Sequence, residues 1–178
     1  MLEFWEPTIG PMRFPVEAVP MMIPITAHEA GHAEAASHFG ARVRGIAMVL
    51  RNPGFGAETI YELPADLSVD NKCTLYAAGS AGEVLEFGGY TSEGASGDQL
   101  DMLNVSGDDL VPYEPFVEKA KAILMARRSN FNRISRLLKW RLFYTNACLM
   151  MSTLSNGKTG AFIIKEHELQ ASQAQPAR

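Results

Sequence analysis

The stretch His28-Glu29-Ala30-Gly31-His32 constrains this chain more than any other. On a helix, residues four apart share a face, so both imidazoles can grip one metal ion. Glu29 sits about 100° round the helix, beside the position where a water would complete the coordination. Two ligands, a general base and a third ligand still to be found make the arrangement of a zinc hydrolase. The same residues ask for a close helix partner. Gly31 inside a helix costs about 1 kcal/mol relative to alanine, and close approach by another backbone is a reason to tolerate it. Residues 77–82 (Ala-Ala-Gly-Ser-Ala-Gly) are an unbroken run of small residues, and Ala33, Ala35 and Ala36 continue a small surface beyond Gly31. Two such surfaces pack with axes near the short end of the usual range of roughly 8–10 Å.

Around this helix the pattern predicts a mainly α fold with a small β-hairpin beside the HExxH helix. Residues 1–25 hold five prolines and no helical period, which predicts an extended arm. The first helix is predicted over 26–39, with Thr26 as N-cap and Gly40 as its stop. A hairpin follows, with strands over 43–50 and 57–61 joined through Asn52-Pro53-Gly54. A second helix is predicted over 69–87, a polar loop over 90–97, and a short helix over 98–105. After a loop over 107–115 come two long helices, about 114–129 and 131–155. In the last, Ile134, Leu138 and Leu142 form one stripe and Leu137, Trp140 and Tyr144 another, which predicts burial on two sides. From residue 171 the chain is polar and predicted to be disordered. The expected organisation is an arm (1–25), a single domain (26–170) and a flexible tail (171–178).

The net charge of −4 argues against a general nucleic-acid binder. The charge is uneven, however. Residues 117–141 hold eight of the sixteen basic residues and one of the twenty acidic ones, Glu118. A solvated helix face, or contact with the chain's own acidic part, accounts for such a segment; an acidic partner or nucleic acid is the rival reading. Cys73 and Cys148 are the only cysteines and form no CxxC pair, which excludes a Cys-rich zinc site. No apolar stretch approaches a membrane span and the start is not that of a secretory signal, so the expected address is cytoplasmic.

The third ligand must be His, Asp or Glu. Asp98 follows Gly94-Ala95-Ser96-Gly97 at a predicted helix start, where unpaired N–H groups and the positive end of the dipole keep a carboxylate ionised. Glu83 competes, being on the small-residue helix expected to pack against the metal helix. Its other reading is a partner that holds a ligand histidine by its second N–H. His38 and His167 are not favoured.

Four stretches then come in a telling order: HEAGHA at 28–33, the hairpin with Arg51-Asn52-Pro53-Gly54-Phe55-Gly56, AAGSAGEVLEFG at 77–88 and GASGD at 94–98. Together they resemble the zinc peptidase domain of the FtsH-type ATP-dependent proteases, over about residues 24–165. The resemblance implies His28, His32 and Asp98 as zinc ligands and Glu29 as general base. The chain departs from the family pattern at Ser80, Gly82 and Val84, where the family has Arg, Ala and Glu. Family members also carry an ATPase module and usually a membrane anchor; here a stand-alone domain is expected.

The expected function is that of a zinc-dependent, HExxH-type metalloendopeptidase acting on peptides or unfolded proteins, ATP-independent on its own, with Glu29 activating a zinc-bound water. An exposed edge of the 43–50 strand would receive an extended substrate by strand addition. Tyr61 and Tyr90 border the relevant loops as candidate oxyanion donors. A separate ATPase or adaptor is a possible partner. The alternative is a non-proteolytic binding or regulatory module that keeps the peptidase-like fold.

Overall fold

The computed structural model describes residues 10–12, 19–50, 55–108, 110–144, 149–153 and 159–174. Its centre is helix α1 (Val19–His38), on which α3, α5, α6 and strands β2 and β3 all pack. Ala27, Ala30, Ala33, Ala35 and Ala36 are each at most 1 % exposed, so residues 28–32 lie on a helix enclosed on nearly all sides. α1 begins at Val19, not Thr26, so the end of the predicted arm is helical. Pro20 falls in the first turn, where its missing N–H would be unpaired anyway, and Pro24 forfeits one ladder bond. Buried Met22 ties this turn to the core. Gly40 stops the helix as predicted, with φ +75°.

β1 (Gly10–Met12), β2 (Arg42–Leu50), β3 (Phe55–Glu62), β4 (Leu149–Thr153) and β5 (Thr159–Lys165) form one sheet in the order β1-β4-β5-β2-β3. The hairpin of β2 and β3 stands where the alternation put it, while residues 51–54 of its turn lie outside the described residues. β2 is not an edge. It pairs antiparallel with β3 on one side and β5 on the other, and a methyl at Gly45 would come 2.5 Å from the Ile164 carbonyl oxygen. Among the described residues, the outer side of β3 is unpaired. The expectation of strand addition along 43–50 is therefore corrected.

The predicted helix over 69–87 is two helices, α2 (Val69–Tyr76) and α3 (Ala78–Phe87), interrupted at Ala77. α4 (Ser92–Ser106) starts earlier than predicted, with the Thr91 side chain accepting from Gly94 N–H at 3.2 Å. The stretch 94–97 is thus helical, and Asp98 lies in the second turn rather than at the start. Gly94 there serves close packing, not a loop, while a methyl on Gly97 would meet nothing within 4 Å.

α5 (Glu114–Ala126) and α6 (Arg128–Lys139) follow, with a π turn at Trp140–Tyr144. Phe131, Ile134 and Leu138 are buried, each stabilising the fold by roughly 1.5–3 kcal/mol. The second stripe is not buried throughout, since Trp140 is 51 % exposed. The last helix does not reach residue 155: β4 replaces its end. Helix α7 (Glu166–Ala174) covers part of the predicted tail, and residues 175–178 lie outside the described residues. Short apolar runs such as 149–151 fit strand or helix equally well, and only pairing with β1 and β5 decides them. One hydrophobic cluster runs through these elements, from Met22 to Leu169.

Candidate metal centre

α1 and α3 cross at unusually close range. A methyl on Gly31 would lie 2.1 Å from the Ala78 carbonyl oxygen, and one on Gly82 would lie 2.3 Å from that of Ala27. The two glycines answer each other across the crossing, as the run of small residues predicts. This contact sets α3 directly over the histidine face of α1. A methyl on Gly79 would fall 2.4 Å from His28 Nε2 and 2.5 Å from His32 Nε2, so only a bare Cα leaves space above the two ring nitrogens.

Each histidine is oriented through its other nitrogen. His28 Nδ1 is 2.7 Å from Glu83 Oε1, and Glu83 Oε2 accepts the Thr91 N–H at 2.9 Å. His32 Nδ1 is 3.0 Å from the Leu75 carbonyl oxygen, just before the interruption at Ala77. Both partners are acceptors, so both Nδ1 atoms carry a proton and both Nε2 atoms are turned to the same point. Gly94 lets α4 close over this pair, since a methyl there would meet Glu83 Oε1 at 2.8 Å. Glu83 thus binds the far side of His28, as the holding partner and not as the third ligand.

The third group is Asp98, from α4. His28 Nε2 and His32 Nε2 are 3.1 Å apart, and Asp98 Oδ2 lies 3.2 and 3.3 Å from them. Asp98 Oδ2 is buried and accepts no aligned hydrogen bond. Two ring nitrogens and one carboxylate oxygen therefore converge on one point. Donors at about 2.0–2.1 Å in a tetrahedron sit roughly 3.3 Å apart, which the observed triangle matches. His28, His32 and Asp98 form a group that could hold a metal ion. His38 is exposed, with its ring against Phe39, and His167 is exposed on α7.

The electrostatics agree with a cation at this point. Burial opposes a charge on His28, yet the Asp98 and Glu83 carboxylates outweigh it and raise the imidazole to about 10. His32 is likewise pushed up against its burial, chiefly by Asp98. Burial would raise the Asp98 carboxyl, but the two histidines hold it down at about 2. The carboxylates that favour a proton on these imidazoles would favour a metal cation in the same way.

Glu29 is 5 % exposed, and the Thr59 hydroxyl on β3 donates to its Oε2 at 2.7 Å. Tyr61 lies on the same face of β3; its burial first, and then the neighbouring Tyr76 and Asp98, push its phenol up, so the hydroxyl stays protonated. Tyr90 instead stacks edge-on against Tyr113 at 6.0 Å, whose hydroxyl meets Ser80 Oγ at 2.9 Å. Thr59, Gly79, Tyr113 and the Leu75 carbonyl are site neighbours that sequence reasoning missed. Gly79 alone left a trace, within the small-residue run.

No family model matches the chain, and no curated protein matches it. Among the described residues, no helix is long and apolar enough to cross a membrane.

Proposed function

We propose that this chain is a zinc-dependent peptidase of the HExxH type, resembling the peptidase domain of FtsH-type proteases. The observation that supports it best is the triangle of His28 Nε2, His32 Nε2 and Asp98 Oδ2, with Glu29 next to His28 on the same helix. Two imidazoles and a carboxylate suit zinc, with one coordination position left for a water or substrate. When bound, zinc supplies Lewis acidity, lowering the pKa of water and polarising a carbonyl.

The chain's own residues do the rest. Glu83 and the Leu75 carbonyl keep both Nε2 atoms turned to the metal. Thr59 occupies Glu29 Oε2, leaving Oε1 to take the proton as water adds to the peptide carbonyl carbon. Glu29 then gives that proton to the amine nitrogen as the C–N bond breaks. β3 packs on α1, and its outer side, unpaired among the described residues, offers an extended peptide the backbone hydrogen bonds it needs.

The test is zinc content together with turnover of an unstructured peptide. About one zinc per chain, lost in Asp98→Ala, and hydrolysis lost in Glu29→Gln with zinc retained, are the expected results. A Glu29→Gln protein that performs every role of the wild type would leave only the binding or regulatory module.

A further inference from the structure

Thr59 sits mid-strand on β3, only 8 % exposed, with its hydroxyl turned into α1. That hydroxyl lies 2.7 Å from Glu29 Oε2 and 3.0 Å from the Glu29 backbone oxygen. It has one proton to donate. The carboxylate oxygen is the nearer acceptor, while the backbone oxygen belongs to the helix ladder. On the opposite face of β3, Ile60 is packed in a second apolar cluster with Val49 and Phe162. The strand is thus held from both sides, and Thr59 is a fixed post beside a long, otherwise rotatable side chain.

We propose that Thr59 is a positioning residue for Glu29: its hydroxyl fixes the carboxylate's rotamer, so that one oxygen is anchored and the other is presented to the reacting water. The proposal rests on the peptidase reading for its catalytic consequence, but not for its structural one. Among the described residues, the outer side of β3 is also unpaired. A peptide that paired there would lie on the same rigid strand that fixes the base. Base and substrate would then share one frame, which is how orientation lowers a barrier without new chemistry.

Two substitutions separate the hydroxyl from the shape. Thr59→Val keeps the β-branch that suits a strand and removes the donor; Thr59→Ser keeps the donor. Both are compared with wild type for zinc content, for kcat and KM on an unstructured fluorogenic peptide, and by crystal structures. Thr59→Val is expected to hold zinc as wild type does, with kcat down roughly ten- to a hundredfold. Its KM should stay within about twofold, and Thr59→Ser should recover kcat to within about threefold of wild type. In the Thr59→Val crystals the Glu29 carboxylate should leave its observed place; in Thr59→Ser it should stay. Wild-type kcat in Thr59→Val, equal losses in both variants, or an unmoved Glu29 in the Val crystals would overturn the proposal. A wild type that cleaves no peptide would defeat the peptidase reading alone, because the crystal structures still decide whether Thr59 sets the position of Glu29.

Discussion

At the scale of single residues, the centre depends on groups that never touch a metal. Glu83 fixes His28 by one oxygen and α4 by the other, through Thr91 N–H. In Glu83→Gln, one of those two bonds loses its acceptor. Zinc affinity should then fall about 10–100-fold, read by competition with a chromophoric chelator. Unchanged affinity would mean that His28 needs no such support. Gly79→Ala attacks from the other side. Alanine favours a helix, but its methyl would lie 2.4 Å from His28 Nε2, so zinc binding should be lost while the helix content by circular dichroism stays. His28, Glu29 and His32 could be proposed as two ligands and a base because HEAGH fixes their spacing by itself, whereas Asp98 competed with Glu83 and leaned on the family resemblance. Glu83 was visible only as one of two roles, because sequence places it near the site without saying which nitrogen it meets. Thr59 was invisible, since nothing in a strand's alternation names the residue across from it.

At the scale of elements, the crossing of α1 and α3 decides where the ligands go. Gly31 and Gly82 let each helix press on the other's backbone carbonyl, at Ala78 and Ala27. Backbone cannot yield as a side chain can. Gly31→Ala and Gly82→Ala should each destabilise the fold by roughly 1–3 kcal/mol, despite a helix-propensity gain of about 1 kcal/mol. Urea denaturation measures the difference, and a stabilised variant would refute the close crossing. This contact was legible because a glycine in a helix and a run of small residues both ask for a partner. The start of α4 was not legible: Gly94 and Gly97 read as loop residues, yet both are in the helix, and residue 94 is a glycine where Glu83 leaves no room for a methyl. Likewise β4 and β5 depend on strands far away in sequence. β3 supplies a further test. Peptides N-methylated at alternate amides cannot pair with its outer side, so they should be turned over far more slowly than their parents; equal rates would remove β3 as the docking strand.

Over the whole molecule, the basic segment is largely answered by the chain's own acids. Lys119 pairs with Asp70, Lys121 with Glu118, Arg127 with buried Glu34, Lys139 with Glu86 and Arg141 with Glu168. Long-range charge therefore matters less than the charge gathered at the centre, and there pH and metal compete. His28 is raised from 6.5 to about 10 in the folded chain. A raised imidazole contributes stability that is complete below the unfolded value and lost as pH rises through the folded one. Asp98 is lowered from 3.8 to about 2, so its contribution is present above 3.8 and lost as pH falls through 2. Metal-free protein should consequently lose stability on the alkaline side, from 6.5 towards about 10. A metal ion needs the imidazoles without that proton, so zinc affinity should climb over the same range. Zinc should raise the Tm more near pH 9 than near pH 6, by mass action on the folded state. Calorimetric titration near pH 7, in two buffers of different ionisation heat, should show protons released as zinc binds. A zinc-induced shift independent of pH, with no proton released, would place the metal somewhere other than on His28, His32 and Asp98.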